Sequence, residues 1–145
     1  MTQPLFDLSG FLPYRLAVAG ARVSRGLARR YAAEFGLSVP EWRVLAHLAA
    51  LPDGAALSVK DITARADMEK SKVSRAASRL QATGLLAKAG HAGDGRLVAL
   101  ALTAPGRAMM ARLIPLALAY EAELLESLGA DGAALNQALT RLEQA

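Results

Sequence analysis

Two groups of residues in this 145-residue chain are of types that could do chemistry on a polyanion. Lys70, Ser71, Lys72, Ser74, Arg75 and Arg79 combine short hydroxyls, which allow close approach, with bases that can reach phosphates or guanine edges. Arg75 is the residue best suited to base readout. Lys70, Lys72 and Arg79 lie towards the flanks and suit phosphates, which set affinity and salt dependence without carrying sequence information. The second group is the tip HAGDGR, residues 91–96, where Asp94 and Arg96 sit among glycines and run into the alternating segment LVALALT. An exposed Asp–Arg pair contributes little to stability. Taken singly, each of these residues is equally an ordinary solvated charge; their joint placement is what carries information.

The elements that must position them can be read from periodicity and punctuation. Over MEKSKVSRAASRLQATG, Val73, Ala76, Ala77 and Leu80 share one helical face, and Ser71, Ser74, Arg75 and Ser78 point the other way. A short helix capped by Ser58 with Asp61 precedes it, Ala66 and Asp67 form the turn, Asp67 is available to cap the second helix, and Gly84 ends it. Two short helices with a tight turn and a polar, basic outer face match a helix-turn-helix. LLAKAG and RLVALAL then read as strands flanking the tip, a β-hairpin that makes the wing of a winged helix.

Upstream, Leu12, Leu16, Val23, Leu27, Tyr31 and Phe35 paint an apolar stripe on a long helix from Phe11, closed by Gly36. A second helix opens on the capping box Ser38 and Glu41, with Pro40 in its first turn, and breaks at Pro52, Asp53 and Gly54. Downstream, Thr103 caps a long helix in which Pro115 predicts a kink, Gly129 stops it, and Asp131 starts a last one. The predicted fold class is mainly α with a small β-hairpin wing. It forms one domain, with the DNA-binding lobe at about residues 38–103 and dimerisation helices at about 10–36 and 104–145.

Composition narrows the function classes. Hydrophobic residues make up 53% but aromatics only 5%, much of the remainder being helix-favouring alanine. With no cysteine, thiol chemistry and cysteine-ligated metal sites are excluded. His47 and His91 fall on different elements without ligand-like spacing, so no metal site is expected. No nucleophile–base–acid grouping, phosphate loop or dinucleotide fingerprint occurs, so neither an enzyme nor a cofactor is expected. The start MTQPLFDLSGFL lacks the pattern of a secretory signal and no segment approaches a membrane span, so the expected location is the cytoplasm. The net charge of +4 matters through where the bases lie.

The order of elements resembles the MarR family of bacterial transcriptional regulators over nearly the whole chain. The most specific residues are Asp94, Gly95 and Arg96, then Leu102, Thr103, Ala104, Pro105 and Gly106, matching Asp-x-Arg and Leu-Thr-x-x-Gly; Ser71, Ser74, Arg75, Leu80 and Gly84 form a second piece. The resemblance implies that Arg96 enters the DNA minor groove and Asp94 orients it. A narrow groove that concentrates negative potential, approached by a glycine-rich backbone, makes that physically reasonable.

The first helix and the last two carry wider apolar faces than a small winged helix can cover, which points to a second copy, and the resemblance implies the same homodimer. The expected partner is double-stranded DNA carrying a pseudo-palindromic operator. The expected regulation is repression released by a small aromatic or anionic effector, with Tyr14, Trp42 and His47 (and Phe11) as lining candidates near the junction of the first two helices. Arg15, Arg22, Arg25 and Arg29 form a stripe that could draw an anion, or simply a solvated face. The rival reading is a winged-helix protein-interaction module whose basic face meets an acidic partner; preference for an operator over scrambled DNA separates the two.

Overall fold

The computed structural model describes residues 5–89 and 98–145. After a 3-10 turn at Leu8–Gly10, the order is α1 (Leu12–Phe35), α2 (Val39–Ala49), β1 (Leu57–Ser58), α3 (Val59–Ala66), α4 (Lys70–Ala82), β2 (Leu86–Ala89), β3 (Ala99–Leu102), α5 (Ala104–Leu128) and α6 (Asp131–Glu143). The 3-10 turn was not foreseen. Asp7 fixes it by accepting from Ser9 Oγ at 2.6 Å and the Gly10 amide at 3.3 Å, bonds that also lower the pKa of its carboxyl.

The helix starts follow the predicted caps. Ser38 accepts from the Glu41 amide at 3.3 Å while Glu41 reaches back to the Ser38 amide, and Ser58 and Asp61 repeat that box at α3. Gly36, in the left-handed region at φ 68°, closes α1. One expectation is corrected. Asp67 does not cap α4; it ends α3 in the left-handed conformation (φ 50°, ψ 51°), and Glu69 takes the N-terminal flank of α4 without a side-chain cap. Aspartate is among the few residues that adopt this conformation readily, which lets the turn reverse within three residues.

The hairpin of the sequence reading is part of a larger sheet. β2 pairs antiparallel with β3 (Leu86 opposite Leu102, Ala89 opposite Ala99), and the two-residue β1 adds to the other side of β3 (Leu57 opposite Leu100, Ser58 opposite Ala99). Ser58 therefore does two jobs, closing a strand and capping α3, and it is the one buried polar residue among the described residues. Ser58→Ala is expected to cost about 1–2 kcal/mol, at the upper end of cap deletions because the site is dry. The cost is read by urea unfolding. The same substitution should return the Asp61 carboxyl part of the way towards its ordinary pKa, since the bond with the Ser58 side chain is the largest cause of its lowering while the Ser58 amide bond remains.

The core joins α1, α2, α3, α4 and α5 to the sheet through Tyr31, Val44, Leu45, Ile62, Val73, Leu80, Leu100, Met110 and Leu113. Only the C-terminal half of α1 reaches it. The predicted stripe splits: Tyr31 is buried and Leu27 and Phe35 pack against the core, whereas Leu12, Leu16 and Val23 are exposed. On the other long helices Leu118, Leu125, Leu128, Leu135, Leu139 and Leu142 are likewise exposed. α5 runs as one helix through Pro115, leaving the Ala111 carbonyl without its helical donor.

Candidate nucleic-acid interface

α4 is fastened by one face. Val73, Ala76, Ala77 and Leu80 are buried, so that Lys70, Ser71, Lys72, Arg75, Ser78 and Arg79 are exposed on the other and Ser74 is half-buried at the edge. The period of 3.6 thus turns four bases and three hydroxyls outward with little freedom to rotate about the helix axis. Ser74 and Lys70 line a cleft of about 510 Å³ with Lys60 and Thr63 of α3 and Val98 beside β3. The structure therefore brings Lys60 to the face where Lys70, Ser71, Ser74 and Arg75 were expected. Sequence reasoning missed it because Lys60, inside the first turn of α3, reads as a solvated charge until α3 is set against α4.

Arg79 differs from its neighbours. Its Nε lies 3.5 Å from Glu41 Oε1, a carboxylate only 16% exposed that also accepts from Ser38 Oγ at 2.7 Å. The acid that caps α2 therefore holds the last turn of the basic helix, and the Arg79 side chain stays about half exposed (52%). A box expected to serve α2 alone also ties α2 to α4.

Asp94 and Arg96 lie outside the described residues. What the structure does give is the anchorage of the segment after them. Thr103 accepts from the Gly106 amide at 3.1 Å to cap α5, donates its hydroxyl to the Gly84 carbonyl at 2.6 Å, and its own amide reaches Leu85 O at 3.1 Å. A Cβ on Gly106 would overlap the Leu85 carbonyl. The Leu-Thr-x-x-Gly pattern is thus the joint that fixes β3 and α5 against the end of α4.

The expected effector residues do not converge. Trp42 stacks on Tyr31 (centroids 5.6 Å apart, 29° between planes) and lines a crevice of about 400 Å³ between α1 and α5, with Val23, Leu27, Leu118 and Tyr120. Neither Tyr14, exposed on the first turn of α1, nor His47 is among its lining residues. His47 is half-buried, and desolvation with Arg65 nearby lowers its pKa, favouring the neutral ring. Tyr120, which was not singled out, braces the crevice: its hydroxyl donates to the Val23 carbonyl at 2.9 Å and its ring lies 4.9 Å beneath the Arg30 guanidinium, itself paired with Glu123. Gly26 opposite leaves room for that hydroxyl.

A family model described as the MarR family matches residues 35–97. A MarR family transcriptional regulator from Silicibacter pomeroyi DSS-3 is 31% identical, covering 96% of this chain and 98% of its own, with a TM-score of 0.78. A further MarR family structure from Silicibacter pomeroyi DSS is 30% identical over 94% of this chain and 88% of its own, again with a TM-score of 0.78. BpsR of Bordetella bronchiseptica, whose DNA binding is regulated by 6-hydroxynicotinic acid, is 23% identical over 98% of this chain and 99% of its own at a TM-score of 0.81, a likeness of fold. No curated protein matches.

Proposed function

The chain belongs to the MarR family of transcriptional regulators, and from that premise we propose that it binds a specific DNA operator as a repressor which a small effector releases. The observation that carries the DNA reading is the outer face of α4, an exposed run of bases and hydroxyls on a helix whose opposite face is fixed in the core. Arg75 reads a base in the major groove, while Lys70, Lys72, Lys60 and Arg79 hold phosphates. No side chain caps the first turn of α4, and with the Lys72 amide bonded to the Glu69 carbonyl, the Lys70 and Ser71 amides remain for a phosphate.

Arg96, oriented by Asp94, takes the minor groove; this assignment rests on the sequence pattern and on the fixed joint at Thr103. Arg96→Ala is expected to weaken operator binding by at least about tenfold in a gel-shift titration, with the melting temperature unchanged. Unaltered affinity would remove the minor-groove role.

A second copy covers the exposed leucines of α1, α5 and α6, giving a two-fold dimer. Hydroxyl-radical footprinting of a bound fragment tests this arrangement: two protected half-sites about 10 bp apart support it, and a single protected segment contradicts it. The effector, a small aromatic or anionic molecule, enters the crevice beside Trp42 and shifts the spacing of the two reading heads. Regulation of BpsR by a single-ring acid supports that class.

A further inference from the structure

A cavity of about 230 Å³ opens between the C-terminal end of α2, the loop at residues 51–55, the end of β3 and one face of α5. Its walls are apolar, chiefly Leu48, Leu102, Met110 and Ile114, and two charged residues border it, Asp53 from the loop and Arg107 from α5. Those two form no ion pair with one another. Arg107 donates from Nη1 to the Leu102 carbonyl at 3.0 Å, which fixes its stem at the rim and leaves its other donors uncommitted among the described residues.

We propose that this cavity binds a small zwitterionic acid, a single apolar ring bearing a carboxylate and an amine, with the carboxylate on Arg107 and the ammonium on Asp53. Size sets the body of the ligand. A cavity of about 150 Å³ takes benzene, so this one has room for one ring and two small substituents. Charge sets its ends. A guanidinium presents paired donors that match a carboxylate, and a lone carboxylate acceptor matches an ammonium. An acid alone would face Asp53 unfavourably and an amine alone would face Arg107 unfavourably, whereas one molecule carrying both groups meets both of these exposed rim charges, which are unpaired among the described residues, while its ring leaves water for the Leu48–Met110 wall.

The site is separate from the crevice beside Trp42. Of the residues lining the two, only Ile114 is shared. The proposal is therefore independent of where the effector binds and of the DNA reading.

The probe is 4-(aminomethyl)benzoate, titrated calorimetrically into the full chain alongside benzoate and benzylamine. The expected result is saturable binding of the zwitterion, with each single-charge analogue weaker by at least about fivefold. Arg107→Gln should weaken it by at least about tenfold and Asp53→Asn by about threefold or more. Ala111→Phe, made at an exposed lining position and so without burden on the core, should abolish binding by filling the cavity. Equal melting temperatures verify that the variants fold. The proposal is overturned by any of three results: no saturation up to about 10 mM, wild-type binding by Arg107→Gln or Ala111→Phe, or benzoate binding as tightly as the zwitterion.

Discussion

Arg75→Ala is expected to lower affinity for the operator by about 10- to 100-fold while changing affinity for scrambled DNA of equal length by no more than about threefold. The asymmetry follows from the geometry of α4. Arg75 is flanked in sequence by buried Ala76 and, two residues back, buried Val73, so its Cα position is fixed and its side chain leaves from the exposed face of the helix. A bidentate contact with a guanine edge contributes about 1–3 kcal/mol of discrimination, which is the tenfold to hundredfold range. Non-specific binding draws on phosphates and loses only one charge among several. Because Arg75 is exposed and has no ion pair among the described residues, the melting temperature should not move. Lys70→Ala is the contrast: both affinities should fall together and the salt dependence become shallower by about one counterion. Competition gel shifts at two salt concentrations separate the outcomes, and a parallel loss on both DNAs by Arg75→Ala would move it to the phosphate class.

Gly106→Ala is expected to be among the most destabilising single-atom additions, about 2–3 kcal/mol, through overpacking. The added Cβ would meet the Leu85 carbonyl, a backbone atom that already accepts from the Thr103 amide at 3.1 Å and cannot turn aside. Either α5 retreats from the end of α4 or the Thr103 joint opens. For a chain of this size the midpoint should drop by about 4–10 °C in a thermal melt. Gly26→Ala is the control of similar crowding and different outcome. There the obstacle is the Tyr120 hydroxyl, the far end of a side chain that can swing out at the loss of one hydrogen bond to Val23 O, so the cost should stay near about 1 kcal/mol. A melt in which Gly106→Ala matches wild type would mean that the contact is softer than the backbone geometry implies.

Much of this architecture is local chemistry and so was legible in the residues. The boxes at Ser38–Glu41 and Ser58–Asp61, the cap at Thr103 and the buried face Val73–Ala76–Ala77–Leu80 each depend on residues within seven positions, and all stand as read. What was not legible depends on partners far along the chain. β1 is two residues long and exists only because β3 offers it an edge some forty positions later. Arg79 and Glu41 are on different helices, and neither residue announces the other. Asp67 satisfies the pattern of a cap and of a left-handed terminus equally, and the tight passage from α3 to α4 selects the second. Aromatic residues near one helix junction suggest a pocket, but a junction in sequence does not fix which side chains share a wall: the crevice along the α1–α5 contact is lined by Trp42 and Tyr120 and not by Tyr14 or His47.

The central claim is that the face of α4 reads sequence. It is tested most directly by selecting genomic DNA fragments with the purified protein and titrating the best fragment against a scrambled control at about 0.15 M salt, since specific sites exceed non-specific DNA by about 10³-fold or more in affinity. Enrichment of one pseudo-palindromic site with a ratio of that order is the predicted result. Equal binding to both DNAs, with the same salt slope, would contradict it and leave a basic winged helix that meets an acidic partner without reading bases.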